Sequence, residues 1–495
     1  MKTSLLVILF FYIITCFAQT DNSSNYYSEK YRLQFHFTPK SKWMNDPNGL
    51  VYFNGKYHLF YQYYPYDIVW GPMHWGHAES ADLLHWQHLP IALYPDSLGN
   101  IFSGSAVIDK NNTAGFGKNA MIAIFTYHND SIWARGFKNT ESQGIAYSLD
   151  EGITWKKYSE NPVLNNSGEQ DFRDPKVFWN DEINSWNMVL AVGDRIKIFT
   201  SQNLKKWKFE SDFKPENDTA NLGVWECPDL FKMKLGEEEK WIMIVNHGGG
   251  ASNGGSGTRY FVGNFDGKVF KNIQESIWLD YGTDFYAGVT FSIVPNNKNV
   301  LIAWMSNWQY ATKTPTEVWR SAMTLPRELT LFKTNGHYVI AQKIVNQFSS
   351  LEENISAFEN CGLPFHQEDF DLSQTEISFL NNAENLEIRI SNKIGEQIKI
   401  ELNDNILTVD RSKSGKIDFN ENFANKVQTM PLSEQITSFQ LILDKSSIEI
   451  LLNNGKYSMT NLFFPNENFS IIDINSKGSN KISELKFNKI NRVWN

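Results

Sequence analysis

Five short polar motifs each lead directly into a hydrophobic strand, and this repetition constrains the fold more than any other feature of the sequence. Each first strand is followed by a turn and a second strand, and the turn at Asn54-Gly55 is a strong hairpin signal. The motifs recur every roughly 50 to 70 residues, which is enough for a four-stranded sheet and its loops. They are residues 43–49, 102–105, 173–175, 226–229 and 285–288.

Repeated four-stranded units predict a β-propeller, here with five blades, in which the starts of the first strands surround one mouth of a central channel. A set of unrelated hairpins in a sandwich is the alternative. A Ser-x-Asp/Asn…Trp pattern also recurs, and we interpret it as an outer strand that ends on a packed tryptophan. It occurs at residues 80–86, 148–155 and 201–207.

Tryptophan usage marks a change along the chain, because only Trp494 lies beyond Trp319. From about residue 355, short runs alternate between apolar and polar residues with frequent turns, which is typical of a β-sandwich. We therefore predict an all-β protein with three parts after the N-terminal segment: a five-bladed β-propeller over residues 30–340, a linker over 341–354 and a C-terminal β-sandwich over 355–495.

The N-terminus resembles a secretory signal peptide, with Lys2, an apolar run over residues 5–14 and the small residue Ala18 before the predicted cleavage point. The run is too short for a transmembrane span. We predict that residues 1–18 are removed and that the protein is secreted, to the extracellular space or the periplasm. Cys16 leaves lipid anchoring open as a minor alternative, which Thr15 disfavours.

The net charge is -9, with acidic and basic residues interspersed. This argues against nucleic acid or an anionic membrane as the main partner, because both require a basic face. Cys227 and Cys361 are too few for a disulfide framework, so we predict two free thiols. His74 and His77 lack the HExxH context of a zinc site. We therefore expect no bound metal and no cofactor.

Three of the five motifs carry a carboxylate: Asp46, Asp174 and Glu226. At equivalent points of a repeated unit, they would converge on one pocket. Glycoside cleavage with retention needs an ionised nucleophile and a carboxylic acid about 5 Å apart, and nearby negative charge raises the pKa of the acid. A third carboxylate can tune this pair and bind sugar hydroxyls. The cluster therefore predicts a glycoside hydrolase.

The same motifs resemble the three signatures of glycoside hydrolase family 32, the family of invertases, exo-inulinases and levanases. Segments at residues 60–62, 70–77, 102–105, 307–310, 409–412 and 444–449 resemble further parts of the family. The fold of this family is a five-bladed propeller followed by a sandwich, in agreement with the repeats. The signatures are Trp43-Met44-Asn45-Asp46-Pro47-Asn48-Gly49, Arg173-Asp174-Pro175 and Glu226-Cys227-Pro228.

The resemblance implies a role for each acid. Asp46 would attack the anomeric carbon of a fructofuranosyl unit. Glu226 would protonate the leaving oxygen and then deprotonate the incoming water. Asp174, held by Arg173, would bind ring hydroxyls and stabilise the oxocarbenium-like transition state. The implied substrate-binding residues are Asn45, Gln62, Trp70, Phe102, Ser103, Arg173 and Trp308, with Trp304 as a competitor of Trp308.

The implied activity is the hydrolysis of terminal β-D-fructofuranosyl residues from fructans (inulin or levan) or sucrose, by double displacement. Secretion favours a polymeric substrate over sucrose. Residues 307–316 also resemble the corresponding segment of exo-inulinases and levanases more than that of sucrases. A fructosyltransferase would share the covalent step, but the unmodified first motif, with Trp43 and Asn45, favours hydrolysis. A non-catalytic fructan-binding protein is disfavoured, because three clustered carboxylates repel one another. The sequence leaves a homodimer through the sandwich open.

Overall fold

The computed structural model describes residues 26–216, 222–477 and 481–494, so the predicted signal peptide lies outside the described residues. The regular secondary structure of the described chain is almost entirely β-strand, as predicted. None of its helices is long and apolar enough to cross a membrane. The helices are α1 (Asp130–Trp133) and the 3₁₀ helices Pro295–Asn297, Ala311–Lys313 and Asn346–Leu351.

The strands up to residue 344 form five sheets, each built largely from strands consecutive in the chain. The first contains β1 (Lys42–Phe53), β2 (Lys56–Tyr64), β3 (His74–Ser80) and β4 (Gln87–Leu93). The second contains β5 (Asn100–Asp109), β6 (Ala120–His128), β7 (Glu141–Ser148) and β8 (Lys156–Lys157). The third contains β9 (Phe172–Asn180), β10 (Ser185–Val192), β11 (Arg195–Ser201) and β12 (Lys208–Phe213).

The two remaining sheets of this part are less regular. The fourth contains β13 (Trp225–Leu235), β14 (Glu238–His247), β15 (Gly257–Phe265), β16 (Phe270–Asn272) and β17 (Ile277–Trp278). The fifth contains β18 (Tyr286–Thr290), β19 (Asn299–Met305), β21 (Ala322–Met323), β22 (Arg327–Thr334) and β23 (His337–Ile344). The short β20 (Trp319–Arg320) pairs in parallel with β1 and so joins the end of this region to its beginning.

The first strands of the five sheets are neighbours in chain order: β1 contacts β5, β5 contacts β9, β9 contacts β13, and β13 contacts β18. β18 in turn contacts β1, so the five strands close a ring. Each of them carries one of the five sequence motifs. The ring therefore gathers the polar motifs around a common centre.

Every first strand has a β-bulge at its motif. In each case the pairing skips two residues on the first strand and one on the second, as between Met44 and Pro47 of β1. One extra residue bends the strand and re-aims the side chains beside it. Asp174, Cys227 and Ala287 adopt positive φ at three of these bulges. The sequence repeat is thus a repeat of bulges as well as of strands.

The chain beyond residue 352 forms two antiparallel six-stranded sheets that share one core, with Ile377, Leu441 and Ile450 on one and Ile388 and Ile400 on the other. One sheet contains β24 (Glu352–Gly362), β26 (Thr375–Asn381), β31 (Ser438–Asp444), β32 (Ser447–Leu452), β33 (Tyr457–Leu462) and β35 (Lys481–Ile490). The other contains β25 (Phe365–Gln367), β27 (Leu386–Ser391), β28 (Gln397–Asn403), β29 (Ile406–Lys413), β30 (Gln428–Pro431) and β34 (Ile471–Asn475). Alternating apolar side chains of each strand supply this core.

Buried charges join the two parts of the chain. Arg327 of β22 pairs with Glu449 of β32 at 2.5 Å and with Asp280 at 3.1 Å, and all three side chains are inaccessible to solvent. His36 lies between Asp444 and Glu449, at 2.8 and 2.9 Å. A set of charges this well paired resists separation, because removing one partner leaves another uncompensated.

The Ser-x-Asp/Asn…Trp pattern is a turn, and our interpretation of it as an outer strand was wrong. β11 ends at Ser201, whose Oγ accepts the N–H of Leu204 at 2.9 Å, while Asn203 Oδ1 accepts the N–H of Lys206 at 3.0 Å. The Trp207 indole then donates to Leu204 O at 3.1 Å. Small polar side chains that bond their own backbone favour turns over strand continuation.

Candidate active site

Asp46 and Asp174 meet around the thiol of Cys227, although they come from different sheets. The Cys227 Sγ lies 3.6 Å from Asp46 Oδ2 and 3.6 Å from Asp174 Oδ2. The backbone N–H of Cys227 also donates to Asp174 Oδ2 at 2.9 Å. Glu226 is the preceding residue on β13. The structure therefore brings the motifs of β1, β9 and β13 together at one end of the ring.

The three acids do not occupy equivalent positions of the repeat, contrary to our expectation. Asp46 is the second of two unpaired bulge residues, Asp174 is the first, and Glu226 is the last paired residue before the bulge. They converge because the bulges aim different strand positions at the same centre. A comparison of motif spacing alone does not reveal this difference.

The two oxygens of Asp46 have different surroundings. Oδ2 accepts a hydrogen bond from Ser103 Oγ at 2.7 Å, which joins the first and second sheets. Oδ1 is buried and has no hydrogen-bond partner among the described residues. One oxygen thus orients the carboxylate, and the other is uncommitted. This is a suitable arrangement for a carboxylate nucleophile.

Glu226 is held by a cation and a phenol. Arg173 Nη1 donates to Oε1 at 3.2 Å, and the Tyr286 hydroxyl donates to Oε2 at 2.5 Å. The expectation that Arg173 holds Asp174 is not met by a hydrogen bond: Arg173 instead bonds Glu226 and Asp171. Asp174 is fixed by its backbone N–H, which donates to Thr126 Oγ1 at 3.0 Å, and by the Cys227 amide.

Burial and mutual repulsion alter the ionisation of the cluster. Burial raises the pKa of Glu226 above its ordinary value, and the charge of Asp46 adds to this, although Arg173 and the Tyr286 hydroxyl oppose it. Burial, followed by the charge of Glu226, raises the pKa of Asp174 well above its usual range. The cluster therefore favours retention of a proton, as a general acid requires.

Cys227 is a neutral thiol in this setting. Burial raises its pKa well above the ordinary value, and the charges of Asp174 and Asp46 add to the effect. Its S–H can donate weakly to either carboxylate. Cys227 and Cys361 are both free, as predicted, and both are buried.

Two of the predicted polar pocket residues, Asn45 and Gln62, are each held by a hydrogen bond to a neighbouring group. Trp43 Nε1 donates to Asn45 Oδ1 at 2.7 Å, and Gln62 Nε2 donates to the carbonyl of Ile101 at 3.0 Å. Asn45 and Gln62 are both buried. Their fixed side chains can present polar atoms to a ligand without further ordering.

The predicted aromatic residues form two groups. Trp70 is 42% exposed and meets Phe102 edge to face, and Phe102 stacks on His128 with ring centroids 4.4 Å apart. Trp308 is partly buried and packs on Trp43 and Trp304. Trp304 is fully buried, so Trp308 is the better candidate of the two for contact with a ligand.

Sequence reasoning missed several groups that contact the cluster. Tyr286 belongs to the fifth motif, and its place there is a signal that could have identified it. Asp171 lies three residues before the bulge acid Asp174. Glu141 and Thr126 carry no local signal, because their contacts with residues 172–174 arise only when the second and third sheets pack together.

The centre of the ring is nearly filled behind the acids. The space bordered by Ser103, Asp174 and Cys227 has a volume of about 20 Å³, which is room for about one water molecule. Lys176 borders this space and donates to Asp229 Oδ2 at 3.0 Å and to the Thr290 carbonyl at 2.6 Å. It also borders a cavity of about 590 Å³ further along the same strands.

The two histidines considered for metal binding are held by other groups. His74 Nδ1 contacts the carbonyl of Pro72 at 2.9 Å, and His77 Nε2 contacts His58 Nδ1 at 3.1 Å. Within the described ranges, no three His, Cys, Asp or Glu side chains are grouped so that they could hold a metal ion.

Comparisons with known proteins agree with this geometry. The model of the glycosyl hydrolases family 32 N-terminal domain matches residues 36–343, and that of the family 32 C-terminal domain matches residues 341–489. A levanase of Bacillus subtilis is 41% identical, over 99% of this chain and 75% of its own length. An extracellular exo-inulinase of Aspergillus niger is 37% identical, over 95% of this chain and 96% of its own.

Solved structures give the same result. The exo-inulinase of Aspergillus awamori superimposes with a TM-score of 0.84 at 35% identity, covering 94% of this chain and 100% of that one. A fructofuranosidase of Schwanniomyces occidentalis, in complex with fructosylnystose, gives 0.83 at 32% identity, covering 94% and 98%. The chain therefore belongs to glycoside hydrolase family 32.

Proposed function

We propose that this chain is a retaining β-fructofuranosidase that hydrolyses terminal β-D-fructofuranosyl residues of fructan or sucrose. The observation that carries the proposal is the meeting of Asp46 and Asp174 at the Cys227 thiol, beside a Glu226 that Arg173 and Tyr286 hold. The levanase and exo-inulinases among its relatives support this substrate class.

The reaction proceeds in two displacements. The Asp46 carboxylate attacks the anomeric carbon, the glycosidic carbon–oxygen bond breaks, and Glu226 gives its proton to the leaving oxygen. Water then attacks the same carbon, its proton passes to the Glu226 carboxylate, and the ester bond to Asp46 breaks. The raised pKa of Glu226 suits the first step, because the acid has to hold a proton when the sugar arrives.

Asp174 and the pocket residues bind the fructosyl ring in this proposal. Asp174 accepts hydrogen bonds from ring hydroxyls, which strengthen as positive charge develops on the ring. Polar contacts come from Asn45, Gln62, Ser103 and Arg173, and the aromatic walls from Trp70, Phe102 and Trp308. Aromatic faces suit the apolar faces of a sugar, while the amides and the hydroxyl bind its oxygens.

We propose the architecture of a five-bladed β-propeller for residues 30–340, with one blade for each of the five sheets. The closed ring of first strands and the five matching bulges support it. The predicted linker of residues 341–354 narrows to residues 345–351, because β23 of the fifth sheet runs to Ile344 and β24 begins at Glu352. The β-sandwich that follows is supported by the core shared by the two six-stranded sheets. The acids lie at one mouth of the propeller channel.

Secretion through a signal peptide at residues 1–18 is part of the proposal, and the extracellular exo-inulinases among the relatives support it. N-terminal sequencing of protein from the culture medium of the native host tests it, with Gln19 expected as the first residue. A homodimer through the sandwich stays a prediction, which sedimentation of the full chain tests.

Substitution of the two reacting acids tests the mechanism. We expect Asp46→Ala and Glu226→Ala to lower turnover of sucrose by at least about 10³-fold, because each removes a group that forms or breaks a bond. With p-nitrophenyl β-D-fructofuranoside, whose leaving group needs little protonation, azide should restore activity to Glu226→Ala and yield fructosyl azide, since it attacks the covalent intermediate without a base. The exposed Glu160→Ala is the control. Wild-type turnover in either acid variant would refute the assignment.

A product profile on sucrose, inulin and levan identifies the acceptor and the mode of attack. Fructose as the sole new product from the polymers indicates hydrolysis at chain ends, and shorter oligosaccharides indicate internal cleavage. Products longer than the substrate would identify a fructosyltransferase. Binding of the polymers without any product would identify a non-catalytic protein and overturn the proposal.

A further inference from the structure

Glu141, the first residue of β7, is a fourth carboxylate beside the acid cluster and is 2% exposed. Its Oε2 accepts the backbone N–H of Phe172 at 2.7 Å, and its Oε1 contacts His128 Nδ1 at 3.2 Å. Oε1 also lies 3.2 Å from Arg173 Nε, without the alignment of a hydrogen bond, so this is a contact of charges. Glu141 therefore touches both the backbone and the side chain of the motif that carries Arg173.

A second residue of β7, Gln143, also holds residues 172–174 in place. Gln143 Nε2 donates to the carbonyl of Phe172 at 2.8 Å, and Gln143 Oε1 accepts a hydrogen bond from Thr126 Oγ1 at 2.7 Å. Thr126 in turn accepts the N–H of Asp174. β7 of the second sheet thus fixes residues 172–174 of the third sheet, and Glu141 is the charged part of this contact.

Arg173 is shared by three carboxylates: Glu141, Asp171 and Glu226. Arg173 carries a single positive charge, so its net attraction to Glu226 depends on how strongly the other two carboxylates interact with the guanidinium. Burial raises the pKa of Glu141, but Arg173 and His128 outweigh this and lower it, so Glu141 is an anion at neutral pH. An anion beside the guanidinium weakens the effect of Arg173 on Glu226.

We propose that Glu141 is a positioning residue for the general acid: it orients Arg173 and competes with Glu226 for the guanidinium charge, so that Glu226 keeps its proton. The inference rests on the proposed function, because it gives Glu226 the role of the acid. Glu141 itself acts through Arg173 and does not react.

Other charged and titratable groups face the two carboxylates and have to stay unchanged in a test. Those around Glu226 are Arg173, Asp171, Asp174, Asp46, Cys227 and Tyr286. Those around Glu141 are Arg173, His128 and Asp171, with Asp130 on the far side of His128. A substitution at Glu141 that keeps its shape leaves all of them in place.

Glu141→Gln is that substitution, because the amide oxygen can still accept the Phe172 N–H. Removing the charge strengthens the pairing of Arg173 with Glu226 and also removes a nearby negative charge, and both effects lower the pKa of Glu226. In the pH profile of kcat/KM for sucrose, we expect the alkaline limb to move to lower pH by about 0.5 unit or more, with KM little changed. Turnover of p-nitrophenyl β-D-fructofuranoside, whose leaving group needs little protonation, should stay close to wild type.

Two further variants separate this role from a structural one. Glu141→Asp keeps the charge and should return the limb towards its wild-type position. Asp130→Asn, which removes the carboxylate on the far side of His128 but not one that touches Arg173, should leave it unmoved. An unshifted limb in Glu141→Gln, or equal losses on both substrates at every pH, would overturn the inference. A wild-type protein that releases no fructose would instead overturn the proposed function, so the two failures are distinguishable.

Discussion

At the residue scale, the proposed mechanism depends on the different neighbours of two acids of similar chemistry. Asp46 is oriented by a neutral hydroxyl, whereas Glu226 faces a guanidinium and a phenol. Both of those groups favour the ionised form of Glu226, and burial favours the protonated form. In the proposed mechanism, this balance sets the pH range in which Glu226 acts first as an acid and then as a base.

Tyr286→Phe tests this balance. Loss of the hydroxyl removes a hydrogen bond to the ionised Glu226, so the pKa of Glu226 should rise. We expect the alkaline limb of kcat/KM for sucrose to move to higher pH by about 0.5 to 1 unit, opposite in direction to Glu141→Gln. Tyr147→Phe, on a tyrosine that stacks on Phe116 away from the acids, is the control. A limb that moves to lower pH in Tyr286→Phe would contradict this account.

The three acids were predicted from sequence as a candidate site, since each lies in a short polar motif near the start of a first strand. Their partners could not be identified in this way. Arg173 has its ion pair with Glu226 rather than a hydrogen bond to Asp174, although Arg173 and Asp174 are adjacent at the bulge of β9. Glu141 reaches Arg173 only through the packing of one sheet on another. Motifs point to the candidate acids, whereas packing decides their ionisation.

At the element scale, the recurring unit is a bulged first strand together with a Ser-Asx turn after the third strand. The turn occurs at Ser80, Ser148 and Ser201, and in each case the serine Oγ accepts two backbone N–H groups. Period-two patterning predicted the strands correctly, but it could not distinguish this turn from a strand end. The distinction lies in side-chain hydrogen bonds to the backbone, which hydrophobic patterns do not report.

Ser201→Ala tests the turn. It leaves the N–H groups of Asn203 and Leu204 without their acceptor, and Leu204 has to keep a positive φ of 61°. We expect a loss of about 1 to 2 kcal/mol in stability and a melting temperature lower by about 1 to 4 °C. The kcat on sucrose should not change, because the turn is remote from the acids. Ser131→Ala, at an exposed position of α1, is the control, and an equal melting temperature in both variants would refute the account.

At the scale of the whole molecule, the N-terminal sheets and the C-terminal pair of sheets are joined through buried charges. Burial lowers the pKa of His36, but its bonds to Asp444 and Glu449 outweigh this and raise it to about 9. Burial raises the pKa of Glu449, but Arg327 and His36 outweigh this and lower it to about 2. Both groups are therefore ionised in the folded protein near neutral pH.

The stabilisation from His36 depends on pH in a defined direction. It is fully present below the unfolded pKa of about 6.5 and is lost as the pH rises to about 9. Glu449 contributes in the opposite sense, since its stabilisation is lost as the pH falls from about 4.5 towards 2. We expect the melting temperature to be highest between these ranges and to fall from pH 6.5 to pH 9.

His36→Gln should remove that fall and lower the stability at pH 6 by about 3 kcal/mol, because two buried carboxylates lose their shared cation. His366 also pairs with a carboxylate, Asp473, but at the surface, where solvent screens the pair. His366→Gln should therefore leave the profile of melting temperature against pH as in the wild type. A wild-type slope in His36→Gln would refute the role of His36.

The Lys176–Asp229 pair, together with the nearly filled space between it and the acids, closes the inner end of the pocket. A sugar unit that reaches the acids cannot pass through the ring and has to go back out the way it came in. The freed unit and the shortened remainder of a chain then compete for one opening, and the next unit cannot enter until both have moved. Product release and substrate entry through this opening, rather than bond cleavage, can thus limit the rate at which a long polymer is consumed.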